Sequence, residues 1–135
     1  MKQSNFQLVG KPKINYFSYE TNQEYQFGGD LALEIDNNIH VIKGTEEHSR
    51  KAIVALKVGI FTLQELKKVP FHIKLEIEGE FHWDEELEKN ETLLETLLKQ
   101  NAPAILFSYV RPLITLITVE ANMPPLVIPL MNFTE

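Results

Sequence analysis

The chain has 135 residues, 44% of them apolar and 24% charged, and a formal net charge of −6. A chain of that length is expected to form one domain, spanning 1–135, with a core that needs no staples. It has no cysteine, which excludes disulfides and thiolate metal sites, and its acidity argues against nucleic acid and anionic lipid as partners.

The opening "MKQSNFQLVGKPK" lacks the apolar run of a signal peptide, so a cytoplasmic location is expected. "NFQLVGKPKINYFSYET" contains alternating pieces interrupted by "GKP", which predicts a first strand with a kink or bulge. "INYFSYETNQEYQFGGD" then places Tyr16, Phe17, Tyr19, Tyr25 and Phe27 among polar and turn-forming residues. A strand buries one of two faces here, so Tyr16 competes with Phe17 and Tyr19 for the core. These aromatics either close the rim of a sheet or form a loop that grips apolar segments of a partner.

"DLALEIDNNIHVI" alternates at its start, which predicts a strand with Leu31, Leu33 and Ile35 inward. "KAIVALKVGIF" is rich in β-formers with both faces mixed, Ile53 and Phe61 opposite Val54, Leu56, Val58 and Ile60. That pattern fits a strand covered on both sides or paired centrally. The polar run "KGTEEHSR" at 43–50 between the two predicts a hairpin. "FHIKLEIEGEFH" shows the clearest period of two, with Phe71, Ile73, Leu75, Ile77, Gly79 and Phe81 on one face and charged or polar residues on the other.

After Trp83 the period changes to that of a helix. In "DEELEKNETLLETLLKQ", Asp84 is the predicted N-cap and Leu87, Leu94, Leu97 and Leu98 the buried stripe. A second helix is expected to open at "NAP", with Asn101 as cap and Pro103 in the first turn. On a wheel, Ser108, Arg111, Thr115 and Thr118 form a narrow polar strip, and apolar residues fill an arc roughly twice the ~100° that one core requires. Pro112 falls mid-helix, and the "MPPLVIPL" after the helix must be extended. A membrane span is not expected, because Arg111 and Glu120 divide the apolar run and prolines break the stretch beyond Glu120. Ile105, Tyr109, Leu113, Leu116 and Ile117 therefore need cover from the first helix, from a folded-back tail, or from another chain.

Little in the sequence suggests catalysis. "FGGD" has neither the spacing nor the lysine of a phosphate loop, and no cysteine nucleophile exists. His72 and His82 share a strand face but lie about 33 Å apart on a straight strand, too far to share a metal. Glu80, His82 and Asp84 in "EFHWD" could project ligands on one side, yet Asp84 is better explained as a cap and Glu80 as part of a wet face. The expectation is a protein that is not an enzyme and takes neither cofactor nor metal.

"AP-x-ILF-x-Y-x-R-xx-IT" followed by "PPL-x-I-x-L-xx-NF" resembles the C-terminal half of the SecB protein-export chaperones. The matching positions are Ala102, Pro103, Ile105, Leu106, Phe107, Tyr109, Arg111, Ile114, Pro124, Pro125, Leu126, Asn132 and Phe133. The resemblance implies an α+β fold, a four-stranded antiparallel sheet with helices packed on one face. It implies an ATP-independent holdase that binds unfolded or precursor polypeptides beside the loop after the first strand, where Phe17, Tyr19, Tyr25 and Phe27 lie. It also implies a homo-oligomer, dimer or tetramer, assembled through the second helix at Ile105, Tyr109, Leu113, Leu116 and Ile117. The family's helix proline falls at Ser108 here, with Pro112 nearby instead. The chain ends after "NF", where the family continues into a further helix and an acidic tail, which leaves the export motor SecA a doubtful partner. The rival readings are a SecB-fold protein devoted to one fixed partner, and a carrier of an apolar small molecule.

Overall fold

The computed structural model describes residues 5–29, 31–46, 49–124, 129, 131 and 133. The chain runs β1 (Phe6–Thr21), β2 (Ile35–Lys43), β3 (Lys51–Ile60), β4 (Phe71–Trp83), α1 (Glu85–Glu88), α2 (Glu91–Thr96) and α3 (Ala102–Glu120). The strands form one antiparallel sheet in the order β1-β4-β3-β2, and the helices cover one of its faces.

β4 realises its alternation along its whole length: Phe71, Ile73, Leu75, Ile77, Gly79, Phe81 and Trp83 are buried, and the residues between them face water. At Gly79 the missing side chain matters, because a Cβ there would come within 2.7 Å of Leu8 Cδ1 and 3.0 Å of Leu106 Cδ2. The bare position lets α3 settle close to the sheet. β3 is mixed on both faces because it pairs on both sides, with β4 and β2. Val54, Leu56, Val58 and Ile60 point at the helices. Phe61 does not join Ile53 on the far face: its backbone turns to φ 60, and its buried ring meets Phe71 edge-on at 5.3 Å.

The hairpin closes between β2 and β3 as anticipated, with Lys43 opposite Ala52. Its polar turn includes Glu47 and His48, which lie outside the described residues. Leu31 and Leu33 are not inward strand residues; they precede β2 and are 37% and 36% exposed. The ladder has run out by then, since Ile35 already pairs with Ile60, the last residue of β3.

In β1 the "GKP" interruption is a pair of register shifts, one between Val9 and Lys13 and one between Ile14 and Tyr16. Gly10 takes φ 72 at the first, a conformation glycine adopts without penalty. The shifts settle the competition among the aromatics: Phe17 and Tyr19 lie opposite inward Leu75 and Ile73, while Tyr16 lies opposite Glu76 on the outer face.

The helical segment departs from expectation in three ways. The stretch after Trp83 is two pieces: Asp84 caps α1 by accepting from Leu87 N–H at 2.8 Å, and Asn90, whose backbone is non-helical, recaps α2 through Leu93 N–H at 3.2 Å. No new helix opens at Asn101, which is helical and makes no side-chain cap. Instead α2 continues into α3 through a π turn at Leu97–Asn101, closed by Ala102 N–H onto the Leu97 carbonyl. A regular turn would press a carbonyl into the Pro103 ring, and the wider turn relieves this. Thr118 leaves the polar strip: it is fully buried beside Ile114, and its hydroxyl reaches the Thr115 carbonyl at 2.8 Å.

The helix runs 30 residues from Glu91 to Glu120, through Arg111 and Pro112, and is long and apolar enough to cross a membrane by length and composition alone. Its inward side, Leu94, Leu98, Leu106, Phe107, Val110 and Ile114, is buried with the inward face of the sheet in a single core. Each such side chain contributes about 1.5 to 3 kcal/mol on burial. Most of the extended segment expected after the helix, 125–128 and 130, lies outside the described residues.

Candidate binding surfaces

The loop leaving β1 is pinned at its base by Asn22. Its N–H donates to the Pro70 carbonyl at 2.9 Å, and its side-chain amide donates to the Leu66 and Val69 carbonyls, both at 3.1 Å. The Asn22 side-chain oxygen accepts from Glu24 N–H at 3.0 Å, and its carbonyl accepts from Tyr25 N–H at 3.2 Å. The loop therefore leaves the sheet along a defined path.

Beyond that base, Tyr25 and Phe27 pack edge-to-face with ring centroids 5.0 Å apart, and Phe27 remains 54% exposed. Phe17 and Tyr19 lie elsewhere, half-buried on the inward face of the edge strand. Tyr19 packs on Phe71 at 6.0 Å, and its hydroxyl points to Met123 Sδ at 3.8 Å. Among the described residues no ring contact joins these two pairs.

Sequence reading missed a second apolar group. Glu34 holds the turn after β3: its carbonyl accepts from Phe61 N–H at 2.9 Å, and its carboxylate accepts from Leu63 N–H at 3.0 Å. The segments that carry Leu31, Leu33 and Leu63 are thereby set side by side, and Leu63 is 72% exposed. The available signal was the isolated Leu63 in "FTLQELKKVP", an apolar residue in a polar turn.

On α3 the face away from the sheet is apolar. Tyr109, Leu116 and Val119 are 45%, 54% and 47% exposed, and Pro112 is exposed between them. Ile105, Leu113 and Ile117 are half-buried on its flanks. Val119 belongs to this crest and was not anticipated. The hydroxyls that could have made the helix polar turn inward on its own backbone: Ser108 donates to the Ile105 carbonyl and Thr115 to the Arg111 carbonyl. Such back-bonded hydroxyls need no water, so the helix can be covered there at little cost.

The outer face of the sheet has another character. Its β4 carboxylates are engaged by neighbours: Glu76 and Glu78 accept from the Asn15 amide, and Glu80 faces His82 at 2.6 Å. Asp84 is occupied as a cap, and no group of three potential metal ligands occurs among the described residues.

An antiparallel four-stranded sheet, roofed by a long helix with an apolar outer crest, defines an α+β protein. The family model described as preprotein translocase subunit SecB matches residues 10–135, and the chain belongs to that family. An uncharacterised protein of Methanocaldococcus jannaschii is 31% identical over 104 residues, covering 76% of this chain and 65% of that protein. The chain thus spans just under two thirds of that relative's length. The protein-export protein SecB of Anaplasma phagocytophilum is 28% identical over 138 residues, covering 99% of this chain and 84% of the relative. Among solved structures, the SecB-like chaperone Rv1957 of Mycobacterium tuberculosis, in complex with a ChAD peptide from the HigA1 antitoxin, superposes with a TM-score of 0.66. It is 13% identical, and the match covers 95% of this chain and 88% of that one, a likeness of fold.

Proposed function

We propose that this protein is a chaperone of the holdase type, which binds non-native polypeptide in the cytosol without ATP. The observation that carries the reading is the exposed apolar group around the β1–β2 loop: Tyr25 with Phe27, and Leu31 and Leu33 beside Leu63. Aromatic and aliphatic side chains on a pinned loop offer large contact area at little conformational cost, and such a surface takes apolar segments of many sequences. Membership of the SecB family supports the same reading.

The working form on this reading is a homo-oligomer, with the α3 crest of Tyr109, Leu116 and Val119 covered by a second copy and Ile105, Leu113 and Ile117 at the margin. A contiguous apolar helix face of this kind is costly to leave in water.

A second reading has one observation in its favour. The fold neighbour was solved with a peptide from a single antitoxin, and this chain could equally serve one dedicated partner. The two readings separate in one experiment. Several unrelated unfolded proteins are diluted into buffer with stoichiometric amounts of this protein and no ATP, and light scattering tracks aggregation. A holdase suppresses aggregation of most of them. Suppression of none, with one protein captured cleanly from the source cytosol, supports the dedicated partner instead.

A further inference from the structure

β2 is an edge strand, last in the order β1-β4-β3-β2, and its ladder with β3 fixes which of its backbone groups are used. Phe61 N–H donates to the Glu34 carbonyl at one end of that ladder and Gly44 N–H to the Lys51 carbonyl at the other, both at 2.9 Å. Hydrogen-bonded pairs in an antiparallel ladder recur at every second residue. Asp36, Asn38, His40 and Ile42 therefore bond to β3, while Ile35, Asn37, Ile39 and Val41 turn N–H and C=O to the open side. Among the described residues no backbone group bonds to them there.

This edge is regular and unguarded. β2 pairs with β3 from Ile35 to Lys43 without a register shift, and it holds no proline. Its lysine, Lys43, is the last residue of the strand and is tied to Glu95. β1, the other edge strand, is interrupted by two register shifts and carries Lys11, Pro12 and Lys13 at the first of them. Bulges, prolines and lysines are the usual means of keeping an edge from pairing, and the middle of β2 has none of them.

The helical roof also stops short of β2. Ile39 and Val41 are half-buried, whereas Val54, Leu56 and Val58 on β3 are at most 2% exposed. One more strand along β2 would supply both the missing hydrogen bonds and the missing apolar cover.

The letters of β2 say which strand fits. Turned antiparallel on itself about Asn38, "IDNNIHV" at 35–41 sets Ile35 opposite Val41 and Asn37 opposite Ile39 as hydrogen-bonded pairs, with their side chains towards the helices. On the outer face it sets Asn38 opposite Asn38 and Asp36 opposite His40, on both halves of the pair. Asp36 gives Oδ1 to Thr62 at 2.7 Å and keeps Oδ2 for an imidazole N–H. Moving the axis one residue on, to Ile39, would set Asp36 opposite Ile42 and Lys43 opposite Ile35, each charge against an apolar side chain.

We propose that β2 pairs antiparallel with β2 of a second copy, in the register centred on Asn38, so that the two sheets continue into one. This contact is separate from the α3 crest and does not depend on the chaperone reading.

The absence of cysteine makes a direct test available. In the proposed register the two Asn38 residues form a non-hydrogen-bonded pair with Cα atoms about 4.5 Å apart, within disulfide range. Asn38→Cys at about 50 μM with oxidised glutathione should crosslink more than about half of the chain into a dimer. Lys74→Cys, exposed on the inner strand β4, should crosslink less than about a tenth as much. Adding Ile39→Pro to Asn38→Cys should cut the crosslink at least about fivefold with the unfolding midpoint near that of the parent, because the Ile39 N–H faces away from β3. His40→Asp, an exposed change that sets a carboxylate opposite Asp36, should cut it by a similar factor, while His40→Lys keeps it within about twofold. Crosslinking no stronger at Asn38→Cys than at Lys74→Cys, equal crosslinking at Ile42→Cys, or a crosslink that survives both Ile39→Pro and His40→Asp would each overturn the proposal. So would a monomeric wild type that holds an unrelated polypeptide along this edge and loses it on Ile39→Pro.

Discussion

The ring of Phe133 stands edge-on to that of Phe107, with centroids 6.0 Å apart and planes at 71°. The contact seats Phe133, only 7% exposed, against a core residue of α3. It leaves the outer crest uncovered, since Tyr109, Leu116 and Val119 stay open to solvent.

That contact gives the first prediction. Phe133→Ala removes a buried aromatic ring and its edge-to-face partner, and should destabilise the fold by about 3 kcal/mol. Urea unfolding monitored by circular dichroism measures it. A loss under about 0.5 kcal/mol would mean that Phe133 does not pack on Phe107 in solution.

The α3 crest gives the second. Leu116 is 54% exposed in the single chain, so Leu116→Asp should cost the subunit's own fold less than about 1 kcal/mol. An assembly that buries this crest would lose far more, and light scattering should then report a smaller particle than for the wild type. A wild-type protein that is already monomeric at micromolar concentration removes the case for a crest covered by a second copy.

The loop aromatics give the third. Tyr25 and Phe27 pack chiefly on each other, so changing both to Ser should leave the unfolding midpoint close to wild type. Client affinity should fall at least about tenfold if the pair is the gripping element, as is usual for an aromatic hot spot. Binding at wild-type strength by the folded double variant would place the grip elsewhere.

Glu95 gives a prediction in pH. Its carboxylate lies below the usual value of 4.5 because it accepts hydrogen bonds from Lys43, on β2, and then from Lys99. A depressed folded value adds stability above the unfolded pKa, and that contribution disappears as pH falls through the folded one. The groups are partly exposed, so screening keeps the contribution to about 0.5 kcal/mol. Lys43→Gln should therefore lower stability at pH 7 and make little difference near pH 3. An equal gap between variant and wild type at both pH values contradicts the pairing.

Much of this was legible in the letters. The alternation of β4 survives because one sheet face is buried and the other wet, a rule each residue obeys with its own polarity. Asp84 caps its helix because the carboxylate needs only an N–H three residues on. The apolar excess of α3 was visible on a wheel and remains as an uncovered crest. Local polarity and short-range hydrogen bonds are properties of neighbouring residues, and a single sequence states them directly.

Other features were decided only by the assembled chain. Leu31 and Leu33 read as strand until β3 proved too short to pair with them. Asn101 reads as a cap, but an added residue in the turn before Pro103 carried the helix through. Asp36, Lys74 and Thr62 meet around Gly59 although they come from three separated segments, because the strand register sets them about that one bare position. Register and helix continuity depend on where distant segments end and meet, and no window of neighbouring residues contains that information.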